Sequence, residues 1–241
     1  MQLGGIQKLT LLDYPGHTAA TVFTPGCNLR CPYCYNVDLV RGIQSDDKKT
    51  RVFPSYPLDE FFSFLKRRKG LLDGICITGG EPLLQEGMGD FCRRIKDEGF
   101  AVKLDTNGTF PEKLKQLVED QVIDYVAVDI KNAPADYAQT VGVKDFDHKS
   151  IDETISYLSS AKVESEFRTT VIREFHTLDK LRTIARWIRG PHPYYLQNFD
   201  EDAKVLVGNQ VLHGWTDNDL RMAVKELRLI NPKTYLRGIE E

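Results

Sequence analysis

Gly74-Ile75-Cys76-Ile77-Thr78-Gly79-Gly80-Glu81-Pro82 is a short apolar run that stops abruptly in glycines, an acid and a proline. An amphipathic stretch from about Gly89 to Glu98 predicts a helix, and Ala101–Leu104 then reads as the next strand, ending at Asp105. The same unit recurs along the chain. Thr18–Thr24, Tyr125–Ile130, Phe167–Ile172 and Tyr194–Phe199 read as further strands. Leu58, Phe61, Phe62 and Leu65 mark one helix, and Glu112–Val118 another. Later helices are marked by Ile151, Ile155 and Leu158, by Leu178, Leu181, Ala185 and Ile188, and by Leu220, Val224 and Leu227. Strands alternating with helices imply parallel βαβ units. About six such strands fit either an incomplete barrel or a doubly wound sheet. Both architectures gather functional residues at the C-terminal ends of strands.

The polar oddities of this sequence fall at those ends. Cys27, Cys31 and Cys34 follow the first run, and Gly79-Gly80-Glu81-Pro82 the second. Asp105-Thr106-Asn107-Gly108 closes the third, and Asp129 and Lys131 end the fourth. Asn107-Gly108 also suits an Asx turn, in which a side-chain oxygen accepts a backbone N–H two residues on. Arg168 is a charge inside an apolar strand and needs an anionic partner there.

Composition narrows the function classes. The chain has 241 residues, 41% hydrophobic and 28% charged, which predicts one globular domain with a sizeable core. Lys and Arg number 32 against 35 Asp and Glu, so a net charge of -3 gives no support to nucleic-acid or membrane-surface binding. No apolar stretch reaches the ~20 residues of a membrane helix. Met1–Gly5 has neither the basic nor the apolar region of a secretory signal, which predicts a cytoplasmic protein. Asp46-Asp47-Lys48-Lys49 reads as a solvated loop and Lys66-Arg67-Arg68-Lys69 as a solvated helix end.

The five cysteines are an odd number, and three of them crowd into C-x3-C-x2-C between Cys27 and Cys34. In a reducing compartment such a cluster binds metal more often than it forms disulfides. Structural zinc takes four protein ligands, and the fourth candidates here are distant. Three thiolates on an iron–sulfur cubane leave one iron open to a small molecule, so the spacing favours iron–sulfur over zinc. Cys76 and Cys92 read as small buried hydrophobes. His176 and His213 carry no partner pattern. Arg237-Gly238 reads as a frayed tail.

C-x3-C-x2-C with Tyr33 before the third cysteine resembles the signature of the radical S-adenosylmethionine (SAM) enzymes. The resemblance covers about Gly5 to Phe199 and implies a partial (β/α)6 TIM-like barrel. It implies a single domain over 1–241, with a C-terminal helical extension from about 200. In such a fold Cys27, Cys31 and Cys34 hold a [4Fe–4S] cluster, and SAM chelates the open iron. Tyr33 contacts the adenine. Gly79, Gly80 and Glu81 resemble the GGEP motif that lies against SAM; Glu81 either holds local backbone or positions SAM. Asp105 accepts from the SAM amino group, in a segment similar to the DTNG of glycyl-radical activating enzymes. Asp129-Ile130-Lys131 is similar to their D-[LI]-K: Lys131 meets the SAM carboxylate, while Asp129 binds a cation or orients its neighbours. Arg168 faces the SAM carboxylate or ribose, unless it makes an ordinary ion pair. Asn36 matches the family, whereas Tyr35 stands where many activating enzymes have His. Gln197 or Asn198 stands where some have a ribose-contacting His.

The opening Gly5–Gly16 reads as a hairpin-like entry and resembles the N-terminus of the anaerobic ribonucleoside-triphosphate reductase activating proteins. Between Cys34 and Gly79 no long insertion offers room for additional clusters. The resemblance therefore implies an activase. It cleaves SAM reductively, using a low-potential electron donor such as flavodoxin, ferredoxin or a thioredoxin-like protein. The 5′-deoxyadenosyl radical so formed abstracts hydrogen from a glycine of a partner, the anaerobic ribonucleotide reductase. Two alternatives stay open: a radical SAM enzyme acting on a small molecule, such as a deazapurine-forming synthase, and a zinc-stabilised binding module.

Overall fold

A computed structural model describes residues 1–44, 51–208 and 211–240. The Asp46–Lys49 run lies outside the described residues. The chain gathers into two compact units. The first comprises Met1–Asn28, Asn36–Thr106 and Glu112–Val126; the second comprises Leu29–Tyr35, Asn107–Pro111 and Ala127–Glu241.

The chain enters the first unit through β1 (Gly5–Thr10) and β2 (Ala19–Thr24). They pair antiparallel, Gly5 opposite Phe23 and Thr10 opposite Ala19, which is the hairpin expected from the opening residues. Helix α1 (Val37–Arg41) follows, then the short antiparallel pair β3 (Ile43–Gln44) and β4 (Arg51–Val52). Next come α2 (Leu58–Arg68), β5 (Gly74–Gly79), α3 (Met88–Asp97), β6 (Ala101–Thr106) and α4 (Pro111–Glu119). β5 pairs in parallel with β2 on one side and with β6 on the other. The apolar stripe read from Leu58 to Leu65 buries Phe61, Phe62 and Leu65. Phe61 and Phe62 meet Phe91 of α3 at 5.4 and 5.8 Å between ring centroids. Such pairs add about 0.5–1.5 kcal/mol each beyond burial. Lys66–Lys69 are exposed at the end of α2, as expected, where cations suit the helix dipole.

β7 (Tyr125–Asp129) starts in the first unit and ends in the second. There follow α5 (Tyr137–Val141), α6 (Lys149–Ser160), β8 (Glu164–Val171), α7 (Leu178–Trp187), β9 (Tyr194–Asn198), α8 (Asp217–Leu227) and β10 (Thr234–Arg237). β8 and β9 are parallel, Phe167 opposite Tyr194 and Val171 opposite Asn198. Thr177 and Thr216 cap α7 and α8, their hydroxyls accepting from Lys180 N and Asp219 N. Phe167, Tyr194, Leu196, Leu181, Ile184, Leu220 and Leu227 form the buried interior of this unit.

All six predicted strands and the predicted helices are present. The stretch after 200 corrects the helical expectation, because it ends in β10, parallel to β9 with Thr234 opposite Tyr194. Arg237 is therefore no frayed tail. Thr234 and Leu236 are buried, and Arg237 pairs with a fully buried carboxylate, Glu166. Among the described residues, no helix is long and apolar enough to cross a membrane.

Candidate active site

In the first unit the chain turns sharply after β2. Gly26 has φ +85, and its N–H donates to Leu39 O at 2.8 Å, just before the half-buried Cys27. The Gly-Gly pair at the end of β5 packs directly onto this turn. Gly80 N donates to Thr24 O and Glu81 N to Gly26 O, both at 2.8 Å. A Cβ on Gly80 would lie 1.9 Å from Gly26 O, and one on Gly79, at φ +121, would lie 2.3 Å from Thr24 N. The absence of side chains at 79 and 80 thus lets two backbones touch. Asn36 Nδ2 donates to Gly79 O at 2.6 Å.

Glu81 is fully buried, and its Oε1 accepts from Leu83 N at 3.0 Å and Thr106 Oγ1 at 2.8 Å. It caps a single 3₁₀ turn, Pro82–Leu84, and ties that turn to the end of β6. Asp105 pairs with Lys103, two residues earlier on β6 and fully buried. Lys103 Nζ also lies 3.9 Å from Cys76 Sγ and 5.9 Å from the Tyr125 ring centroid. Sequence reasoning missed Lys103. A cation inside the apolar run Ala101–Leu104 was the available signal, the same one that exposed Arg168. Cys76 and Cys92 are buried, and burial pushes the Cys92 thiol up to about 12.

In the second unit Cys31 and Cys34 sit on one tight turn, Cys34 N donating to Cys31 O at 3.1 Å. Cys31 is buried and Cys34 half-buried; none of the five cysteines forms a disulfide. Arg30 N donates to Val141 O at 2.8 Å, and Val207 N donates to Pro32 O at 2.9 Å. Tyr33 is buried, its ring 5.9 Å from that of Phe175. Tyr35 stacks on Phe199 at 5.7 Å, and its hydroxyl accepts from Asp200 N at 2.9 Å. Asn107 Oδ1 accepts from Thr109 N at 3.0 Å, the Asx turn its sequence suggested. Gln197 donates to Thr170 Oγ1 at 2.8 Å, and Asn198 Nδ2 donates to Trp215 O at 2.7 Å.

Asp129 stands between two cations. Arg168 Nε donates to Oδ1 at 2.8 Å and Lys131 Nζ to Oδ2 at 3.0 Å. Burial pushes the Asp129 carboxyl up, but Arg168 and Lys131 outweigh it and hold the group well below the usual range. For Lys131 burial favours the neutral amine, yet Asp129 and then Cys31 hold the ammonium charged. Lys131 is thus within electrostatic reach of Cys31. Tyr33 belongs to the same neighbourhood, because burial first and then Cys31, Tyr137, Asp129 and Cys34 push its hydroxyl well up. His176, unassigned from sequence, is buried beneath. Ile172 N donates to its Nδ1 at 3.1 Å, so the proton sits on Nε2 and is given to Lys131 O at 3.0 Å. Burial lowers its pKa to about 4 and keeps it neutral.

A family model described as the radical SAM superfamily matches residues 21–188. The chain belongs to that superfamily. It is 30% identical over 202 residues to a candidate glycyl-radical enzyme activating enzyme of Methanocaldococcus jannaschii, covering 82% of this chain and 80% of that one. To a 7-carboxy-7-deazaguanine synthase of Methanopyrus kandleri it is 25% identical over 233 residues, covering 90% and 88%. Among solved structures it matches Streptococcus suis SuiB bound to S-adenosylmethionine, with TM-score 0.66 and 12% identity over 90% of this chain and 52% of that one. The fold class expected from the motifs, the α/β radical SAM type, is thereby shown. Radical SAM enzymes use a [4Fe–4S] cluster and SAM, which sets the zinc-module alternative aside. Among the described residues no three His, Cys, Asp or Glu side chains gather into a ready metal site, but the donor chemistry suits these groups. In the second unit the thiols of Cys31 and Cys34 are donors suited to iron, and the Lys131 ammonium, hydrogen-bonded to Asp129, is suited to a carboxylate.

Proposed function

We propose that this protein is a glycyl-radical activase whose partner is an anaerobic ribonucleoside-triphosphate reductase. The observation that carries the site is Asp129 bridging two cations, Lys131 at 3.0 Å and Arg168 at 2.8 Å, in the unit that also holds Cys31 and Cys34. The near-full-length similarity to a candidate activating enzyme supports the choice of substrate class. Cys27, Cys31 and Cys34 hold the cluster, which with SAM supplies reductive C–S cleavage and hydrogen-atom abstraction.

The chain's own residues orient and shield. Lys131 offers a fixed positive charge to the SAM carboxylate, and Asp129 keeps it aimed through their 3.0 Å hydrogen bond. Arg168 adds a second cation on the same carboxylate bridge. Asp105 accepts from the SAM amino group, Gly79 and Gly80 present backbone at the same ligand, and Glu81 and Asn36 hold that backbone in place, Asn36 through its hydrogen bond to Gly79 O. Tyr33 covers the adenine and, with Phe175 behind it, keeps water out. No side chain acts as a general acid or base. The protein works in the cytoplasm with a low-potential electron donor, and needs neither nucleic acid nor membrane.

The test is anaerobic: reconstituted protein, reductant, SAM and the reductase are mixed, and the glycyl-radical EPR signal is recorded. A signal that requires all components is expected. Its absence, with a cluster that responds to SAM, overturns the activase reading. The second reading, turnover of a small molecule such as a deazapurine precursor, is favoured by the 25% identity to the deazaguanine synthase over 90% of the chain. Deoxyadenosine formation would then depend on that small molecule and not on a protein.

A further inference from the structure

The charged row of the second unit does not stop at Arg168. Glu166 precedes it by two residues on β8, so both side chains leave the same face of the strand. Glu166 is fully buried. Arg237 of β10 grips it with both terminal nitrogens, Nη1 donating to Oε1 at 2.8 Å and Nη2 to Oε2 at 2.7 Å. The same guanidinium lies over the Tyr195 ring, 4.1 Å from its centroid. Arg168 Nη1 stands 4.0 Å from Glu166 Oε1 while its Nε donates to Asp129. The order Arg237, Glu166, Arg168, Asp129, Lys131 alternates in sign. Three cations face two carboxylates, so the row keeps one positive charge. Asp129 and Lys131 retain 29% and 18% exposure, so solvent or a ligand can reach that end.

We infer that Arg237 is a positioning residue for SAM: by neutralising Glu166 it leaves Arg168 to Asp129, and thereby sets the geometry and net charge that receive the SAM carboxylate. This rests on the reading that Lys131 and Arg168 face that carboxylate. A buried carboxylate stripped of a bidentate partner is strongly uncompensated and draws a neighbouring cation. Arg168 is already within 4.0 Å of it. Turned toward Glu166, Arg168 gives up its Nε bond to Asp129. Asp129 then pairs with Lys131 alone, and the row has no surplus charge to offer an anion. The effect of losing Arg237 therefore runs through Glu166 and disappears with it.

The cluster-loaded protein tests this with two readouts: the SAM dissociation constant, from the SAM-dependent change in the cluster EPR signal, and the thermal midpoint without SAM. Arg237→Gln is expected to weaken SAM binding about tenfold, the size of coupling seen within one charge network. The double variant Glu166→Gln with Arg237→Gln removes the pull on Arg168 and restores the single positive charge. Its affinity is expected within about threefold of the unaltered protein. A lowered midpoint in Arg237→Gln with unchanged SAM affinity overturns the inference, as does a double variant as weak as the single one. Should Arg237→Gln not fold, Arg237→Lys decides. A point charge satisfies one Glu166 oxygen only, so about threefold weaker binding is expected, and unchanged affinity overturns the inference. Lys131→Gln separates the premise. If it binds SAM as the unaltered protein does, the assignment of Lys131 and Arg168 to the carboxylate fails, whatever Arg237→Gln shows.

Discussion

Around Gly79–Glu81 the first unit holds its strand ends by backbone contact and neutral donors; around Asp129–Arg168 the second unit holds its own by alternating charges. The difference has a physical consequence. Where two backbones touch, the tolerance for volume is nil and the tolerance for a change of charge is wide. Where carboxylates and cations hold one another in a half-buried row, size matters less than charge.

Substitutions that trade volume against charge are the way to break this contrast. The largest effect is expected from Gly80→Ala, whose Cβ would meet a backbone oxygen at 1.9 Å. Since backbone must move, a loss of about 4 kcal/mol in urea denaturation is expected. A loss under ~1 kcal/mol, the range of a mild substitution, would show that the turn relaxes and that backbone contact does not limit volume there. Next comes Asp129→Asn, which keeps the shape but leaves Lys131 and Arg168 facing each other. About 2 kcal/mol should be lost, less than when one partner leaves a fully buried ion pair, because Asp129 keeps 29% exposure. Equal stability in the two proteins would mean that the row is solvated in the folded state.

His176 sharpens the contrast, because it is a neutral anchor inside the charged region. Its pKa falls from the ordinary 6.5 to about 4 on folding. The stability that it contributes is therefore complete above pH 6.5 and is lost as the pH drops toward 4. By pH 5 the deficit is about 2 kcal/mol. Thermal midpoints measured from pH 7 to 5 should fall, and His176→Gln should start lower and fall less steeply. Parallel slopes would assign the acid sensitivity elsewhere. The smallest effect belongs to Glu81→Gln, the counterpart of Asp129→Asn. Its Oε1 partners are a backbone N–H and a hydroxyl, and an amide oxygen accepts from both. A cost of at most about 1 kcal/mol is expected, because neutral hydrogen bonds contribute that much. A cost equal to that of Asp129→Asn would erase the distinction between the regions.

Much of this was legible beforehand. Period and strand-end polarity placed the six main strands, the cysteines, Gly79-Gly80, Asp105, Asp129 and Lys131. Arg168 stood out as a charge in an apolar run. Lys103 and Glu166 satisfy the same criterion, one amid Ala101–Leu104 and the other beside Phe167, and that signal went unread. Other features were beyond reach. β10 has four residues and α5 five, too few for a period to repeat. Whether a carboxylate takes a lysine two residues away or an arginine seventy-one residues away is settled by the sheet and not by spacing. Nor does sequence tell whether a glycine makes room for a ligand or for another stretch of chain.

The pairing of Glu166 with Arg237 also has a consequence for synthesis. On the ribosome the carboxylate is made 71 residues ahead of its counter-ion. The first unit is complete by Val126, so it has all its residues while the rest is still being added. The second unit must wait. Until β10 emerges and docks beside β9, burying Glu166 has no bidentate partner to offset it, and β8 stays costly to close. The last strand thus acts as a latch on maturation: a nascent chain halted before Thr234 has every cysteine but cannot finish the unit that carries two of them.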